Sequence, residues 1–401
     1  MNSIISQTIW RQGTKRSDKG FKIKMEAKTT NHVVVINTTQ DFKNLKTDWN
    51  SLVDKSINPH PFILWEWMFT WWETYNRTNK DELCILAIYD KSELVAIAPF
   101  YIQTKGFFIK RLSLLGEGEN NADAVVTAYP DIIAKESYKD QCVQMFSNYL
   151  NNNTSIKFNY ASFNLLHKDS LLQQVGNKLS NNYIKKKNHS ENQFVINLPQ
   201  TEDDYLNSLS KSTKKQFRMK LNRIKKAGEL EIISEEKLAN GLLIVEKLHR
   251  ARWSSKSEKN TFDSDKFLQF HTKLCERFQS QDIMNIRVMK HDGTPIAAAY
   301  NFNYKQVCYS YLSGFKSADD KRYSPMFIFD MLEIKALISK HQKKYDMLVS
   351  ESENTYKSKF GSEVNSVYKI LWLKKEFIPL SMMAYLAIRP LLAKYYKILF
   401  K

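Results

Sequence analysis

Glycine and proline are scarce in this chain, eleven and nine among 401 residues. So few exclude a collagen-like or linker-like architecture. Cysteine is scarcer still. The four stand at 84, 142, 275 and 308, none in C-x-x-C spacing. A disulfide framework and a metal site are therefore not expected, and a reducing compartment fits. No run of 18–20 apolar residues is present, so no bilayer-spanning helix is expected. The N-terminus has no apolar h-region, because Ile4, Ile5, Ile9 and Trp10 are too scattered; Met25 is an alternative start. H-x-x-x-H, G-x-S-x-G and P-loop patterns are missing, and Gly116-Glu117-Gly118 is not a dinucleotide fingerprint.

What is there is globular. Hydrophobic residues make up 43% and charged residues 25%, and the length suits two or three domains. The net charge of +18 is local. Residues 1–24 hold six basic residues against one acid, residues 211–228 eight against none, and residues 376–401 four against one. Anion attraction is thus expected at particular places, and a surface that coats DNA is not.

Periodicity orders the rest. Val33–Ile36 reads as a strand, Phe42 to Leu52 as a helix, and Phe62–Tyr75 as a second, very aromatic helix, read as a buried anchor. Leu83–Tyr89, Leu94–Gln103 and Lys110–Leu115 are strand-like runs rich in Ile, Leu, Val and Phe, with short polar turns between them. Ile132–Leu150 reads as a helix, Ile156–Phe163 as a strand, Leu171–Leu179 as a helix and Phe194–Leu198 as a strand. A second block repeats this grammar. Thr201 caps a short helix, and Ser212–Ala227 is a basic one. Leu242–Trp253 and Phe267–Phe278 are helices, and Ile283–Lys290, Pro295–Tyr304 and Val307–Gly314 form a meander. Met326–Ser339 is a helix, with Tyr345–Val349 and Val364–Leu373 as strands. Val95-Ala96-Ile97-Ala98 and Ile296-Ala297-Ala298-Ala299 stand at the same point of the two blocks. The repeat points to an internal duplication. The expected division is a basic, disordered extension (1–32), two mixed α/β domains (33–198 and 199–375), and an apolar, basic helical tail (376–401).

Two places carry chemistry. The strand ending Tyr311-Leu312-Ser313-Gly314, followed by a loop and a helix from Ser324, suits a thioester co-substrate. A strand edge can bind pantetheine amides, and a helix N-terminus can take a pyrophosphate. An ordinary strand–loop–helix connection is the plainer alternative. The stretch from Asp346 to Tyr356 and Lys357 offers an acid, a phenol and an ammonium within short reach; a polar loop with a satisfied ion pair explains it equally. The helix of Lys211, Lys214, Lys215 and Arg218 has one apolar stripe and a cationic face without acids, which phosphate contact would relieve.

At these residues the chain resembles a known family. Asp204-Tyr205-Leu206-Asn207-Ser208-Leu209-Ser210-Lys211-Ser212-Thr213-Lys214-Lys215-Gln216-Phe217-Arg218 and Leu248-His249-Arg250-Ala251-Arg252-Trp253 are similar to motifs of the CelD/BcsL-type acetyltransferases, within the GNAT superfamily. Tyr311-Leu312-Ser313-Gly314-Phe315, Tyr323-Ser324-Pro325 and Asp346…Tyr356-Lys357 continue the match in order. The resemblance implies tandem GNAT-like domains, each a mostly antiparallel sheet flanked by helices, as in the FemABX peptidyltransferases. It implies acyl transfer, chiefly acetyl, from acetyl-CoA or another acyl-CoA to an amine or hydroxyl of a saccharide or envelope-precursor acceptor, without a metal. Asp346, Tyr356 and Lys357 then stand as catalytic residues. His249, Arg252, Tyr311 and Ser313 stand on the acceptor side, and Arg322, Ser324 and Met326 at the cofactor. The family's pyrophosphate loop would begin at Arg322, with Pro325 and Phe327 at its glycine positions. Two alternatives stay open: an aminoacyltransferase using aminoacyl-tRNA, and a GNAT-fold binding protein without catalysis. A cytoplasmic place is expected. The tail reads either as a helix closing over the second domain or as a peripheral contact with an anionic face of the plasma membrane.

Overall fold

The computed structural model describes residues 32–78, 80–105, 109–120, 123–152, 156–253, 260–316, 323–352 and 356–377. The basic N-terminal stretch, Arg322 and the tail from residue 378 lie outside these.

The chain opens with β1 (His32–Ile36), α1 (Thr39–Asn44) and α2 (Lys46–Asp54). The Thr38 side chain accepts from the Asp41 N–H and starts α1. Pro61–Ile63 forms a 3₁₀ turn that leads into α3 (Trp65–Tyr75). Helix α3 is apolar on nearly every side, which is the pattern of a helix surrounded by protein, and ten of its eleven residues are buried. Its one buried acid, Glu66, is held by Lys46 at 3.1 Å and Asn50 at 2.8 Å.

Strands β2 (Asp81–Asp90), β3 (Glu93–Lys105) and β4 (Ile109–Leu114) form the first meander. A two-residue strand β5 (Ile133–Ala134) pairs with β3, and α4 (Lys139–Asn152) follows. The expected helix over Ile132–Leu150 is therefore a strand and a turn before it is a helix. Next come β6 (Tyr160–His167), α5 (Leu171–Lys178) and the long β7 (Tyr183–Asn197). Helices α6 (Glu202–Ser208) and α7 (Lys211–Ala227) connect to the second half. That half holds β8 (Leu230–Ser234), α8 (Leu238–Trp253), α9 (Asp265–Phe278), β9 (Met284–His291), β10 (Thr294–Tyr304) and β11 (Val307–Phe315). Helix α10 (Pro325–Ser339), β12 (Lys344–Ser350), a 3₁₀ turn (Tyr356–Phe360) and β13 (Glu363–Lys374) complete it.

The thirteen strands among the described residues join one sheet in the order β1-β2-β3-β4-β6-β13-β7-β12-β11-β10-β9-β8, with β5 on β3. The order reads the same from either end. Parallel pairing occurs at β4/β6 and at the corresponding β11/β12, and the other pairs are antiparallel. The two Ala-rich segments fall in β3 and β10, the same place in each half. The sheet does not break near residue 198. Instead β13 runs between β6 and β7, while β7 pairs with both β13 and β12. Each half thus holds a strand of the other's chain segment.

The period-two pattern splits β2 between two cores. Ile85, Ala87 and Tyr89 face α1–α3; Leu86 and Ile88 join the core of α4 and α5. The first of these cores runs on without a break to α8 and α9 of the second half. Trp67 of α3 meets Phe270 of α9 edge-on at 5.0 Å, so the aromatic helix is a buried anchor that joins the halves. On the opposite face, α6, α7 and α10 cover the second half.

Candidate active site

The site arises where two parallel strands part. Strands β11 and β12 pair over only three residues each, Val307–Tyr309 against Lys344–Asp346. Beyond that they diverge, and Leu348 takes a left-handed φ of 56° that turns β12 away. The gap is a cleft of about 800 Å³. Ser310 to Ser313 and Phe315 form one wall and Met347 to Ser350 the other. The start of α10 (Ser324 to Phe327) and the turn carrying Tyr356, Lys357 and Lys359 close its ends. Strand β11 lies hard against α8 here: a Cβ on Gly314 would come within 2.6 Å of the His249 backbone nitrogen.

The corresponding gap in the first half is filled by its own chain. Strands β4 and β6 pair only at Arg111↔Tyr160 and Leu112↔Ala161, and Leu165 takes the same φ of 56° as Leu348. After β4, Gly116 and Gly118, at φ 89° and 105°, turn the chain back. That turn puts Glu117 into the splay. Its carboxylate accepts from the backbone N–H of Leu114 (3.3 Å) and of Asn164 (3.2 Å), and Arg111 stands 3.5 Å away. Glu117 thus takes up backbone donors at the first-half splay, where the second half has a cleft.

Most of the predicted catalytic, acceptor-side and cofactor-side residues come together at the cleft. Arg252, Tyr311, Ser313, Ser324, Met326, Tyr356 and Lys357 all line it. Arg252 stacks over the Phe315 ring at 4.7 Å. The Tyr311 hydroxyl accepts from the Val126 N–H at 3.1 Å, which brings a first-half segment to the rim. Lys357 donates to the Val349 carbonyl at 2.8 Å. Burial pushes its pKa down to about 8, opposed by the nearby carboxylates of Asp346, Glu191 and Asp330.

One predicted catalytic residue and one predicted acceptor-side residue do not line the cleft. His249 is buried beneath β11 with Nδ1 3.1 Å from Asn260 Oδ1. Asp346 sits at the apex of the splay and faces a second cavity, of about 420 Å³, beside Tyr129 and Gln193. It accepts from Gln193 Nε2 (2.7 Å), the Leu348 N–H (2.7 Å) and the Tyr129 hydroxyl (3.0 Å). Burial outweighs these bonds and raises its pKa to about 6. Of the basic helix, Lys211, Lys214, Lys215 and Arg218 lie away from the cleft, whereas Gln216 and Lys220 line it. Lys220 donates to Ser324 Oγ at 2.8 Å, at the head of α10. Arg322 is outside the described residues.

Sequence reasoning missed Lys220 and Asp330. Asp330 is buried on α10, lines the cleft, and accepts from the Tyr356 hydroxyl at 2.8 Å. The signal was an acid among the apolar residues of a largely apolar helix, since such acids are seldom buried without a reason. Among the described residues no group of three or more His, Cys, Asp or Glu could hold a metal, and no helix is long and apolar enough to cross a membrane.

A parallel-strand splay capped by a helix N-terminus is the arrangement to compare with known proteins. Residues 211–358, from α7 to the Tyr356 turn, match the family model described as an acetyltransferase (GNAT) domain. The fold is GNAT-like. The GNAT-like match covers the half in which the splay is open, and the mirrored strand order places a second copy of the arrangement in the first half. No curated protein matches the sequence. Among solved structures, FemX is similar at 10% identity and a TM-score of 0.59, covering 89% of this chain and 99% of that one. L-PGS from Bacillus licheniformis is similar at 12% identity and a TM-score of 0.50, covering 86% and 96%. At such identities the likeness is one of fold, and function has to be argued from the site.

Proposed function

We propose that the chain is an acyltransferase that takes an acyl group, chiefly acetyl, from acyl-CoA and passes it to an amine or hydroxyl of a cell-envelope or exopolysaccharide-related acceptor. The observation that carries this reading is the open splay between β11 and β12, with Tyr356 and Lys357 at its end. Diverging strands present backbone N–H and C=O groups to an extended ligand, which suits the two amides of a pantetheine arm. Pro325 contributes no N–H at the head of α10. Lys220, reaching over from α7 to Ser324, supplies a cation there for phosphates. The thioester carbonyl would then stand near Lys357 and Tyr356, where a developing oxyanion meets an ammonium and a phenol. The acceptor class rests on the CelD/BcsL resemblance.

A thermal-shift and calorimetric comparison of acetyl-CoA with desulfo-CoA and ATP, followed by thiol release with amine and sugar acceptors, tests this. Stabilisation by acetyl-CoA that Lys220→Ala weakens roughly tenfold is the expected result. No binding of any acyl-CoA would end the reading. The exposed cations of α7 favour one second reading, transfer from an aminoacyl-tRNA. It is recognised by a binding constant for tRNA that falls steeply with salt.

A further inference from the structure

Helix α10 carries two buried acids one turn apart, and the structure treats them differently. Glu333 stands 3.2 Å from Arg287 of β9, a plain ion pair. Asp330 lines the cleft instead and accepts from two phenols, Tyr356 at 2.8 Å and Tyr345 at 3.4 Å. Only 2% of Asp330 is exposed, whereas Tyr356 is 38% exposed. Both line the cleft, and the phenol is the more exposed of the pair.

We propose that Asp330 is the proton acceptor behind Tyr356, so that the two residues act as one relay during acyl transfer. This rests on the acyl-transfer reading. An acceptor amine attacks the thioester carbon, and the C–N bond forms. As its nitrogen loses a proton to Tyr356 Oη, the phenol proton passes to the Asp330 carboxylate. The C–S bond then breaks. The leaving thiolate takes its proton from Tyr356, which is refilled from Asp330. Amide and thiol leave, and both side chains return to their starting state.

The surroundings favour this division of labour. A phenolate next to a carboxylate would place two negative charges within hydrogen-bond distance, so Tyr356 is held well above its ordinary pKa, by burial first and then by Asp330. It can pass a proton on but cannot keep the negative charge. Asp330 can take up that proton and give it back, because burial, together with Glu333, lifts its pKa to about 7. The bonds from Tyr356 and Tyr345 and the charge of Lys357 oppose that rise. The other titratable groups around the pair are Tyr205 of α6 and Arg252 of α8, coupled to Asp330 and to Tyr356 respectively. A group near neutrality serves in both proton directions.

The test has two independent readouts. The carboxylic-acid carbonyl stretch is followed by infrared spectroscopy across pH for the full chain, Asp330→Asn and Tyr356→Phe. The difference between the full chain and Asp330→Asn should titrate near pH 7, and Tyr356→Phe should move that midpoint upward, because a bond that favours the carboxylate is gone. Thiol release from acetyl-CoA with glucosamine should fall roughly 10²-fold in Asp330→Asn and lose its rising limb near neutral pH. A midpoint in the ordinary aspartate range, or one that Tyr356→Phe leaves in place, overturns the relay. So does an Asp330→Asn enzyme with the full-chain pH profile, and in that case the acyl-transfer reading survives. If the full chain neither binds acetyl-CoA nor releases thiol from it, the donor reading falls and the titration alone decides the pair.

Discussion

The chemistry of single residues here is set by how much water each has lost. Lys357 keeps its cation only below about pH 8, because burial penalises the charged form. Acyl transfer that sets this cation against an oxyanion should therefore decline as pH rises through 8. Lys357→Arg keeps the charge and should lose that falling limb, while Lys357→Ala should lower the rate roughly 10²-fold across the range; a pH–rate profile of the three proteins checks both. Asp346 shows the opposite sign. Its pKa is about 6 in the folded chain, above the usual aspartate value, so the folded state binds the proton more tightly than the unfolded one. That contribution to stability is complete below about pH 4 and is lost as pH rises through 6. Asp346→Asn does not titrate there. Its stability deficit against the natural chain should shrink by up to about 3 kcal/mol between pH 4 and pH 8, measured by urea unfolding at each pH. Tyr356, Lys357 and Asp346 were all legible as motif residues. Asp330 was not, because an acid on a helical stripe acquires meaning only from what packs above it.

Among the elements, the two splays decide where the proposed co-substrate would bind. Each half has a pair of parallel strands that part, but only β11 and β12 leave their gap open. Glu117 fills the other and satisfies the N–H groups of Leu114 and Asn164. One acetyl-CoA should therefore bind per chain, as read by calorimetric stoichiometry, and a value of two would show that Glu117 does not block its site. Glu117→Ala leaves buried donors without their acceptor and should cost about 1–3 kcal/mol of stability. The strands and helices themselves were largely readable. Those with strong periodicity, such as α3, β2, β3 and α9, appear within a few residues of their expected bounds. The first part of β7 went unread because Lys185-Lys186-Lys187-Asn188-His189 offers no alternation of apolar and polar residues. That stretch is held as a strand by β13, not by local preference.

Across the whole molecule the exchange of strands ties the halves into one folding unit. Strand β13 lies between β6 and β7, and one hydrophobic core passes from α1–α3 to α8 and α9. Unfolding in urea should therefore be a single transition, with tryptophan fluorescence, which reports mainly the first half, coinciding with circular dichroism. Residues 1–198 expressed alone lack the strand between β6 and β7 and should unfold without a cooperative transition. A sharp transition of that fragment at the midpoint of the full chain would show that the halves are independent.

The sequence by itself determined the kinds of element, the internal repeat, the GNAT-like resemblance and the motif residues now seen around the cleft. These are encoded over short windows, in periods of 2 and 3.6 and in the spacing of side chains along one strand or turn. Only the tertiary structure decided that β7 and β13 cross between the halves, that one splay is open and the other plugged, that His249 and Asp346 stand back from the cleft, and that Asp330 and Lys220 belong to it. The physical reason is distance along the chain. Register between strands separated by nearly two hundred residues, and burial of an acid beneath a tyrosine 26 positions on, depend on the packing of the whole sheet and leave no local pattern to read.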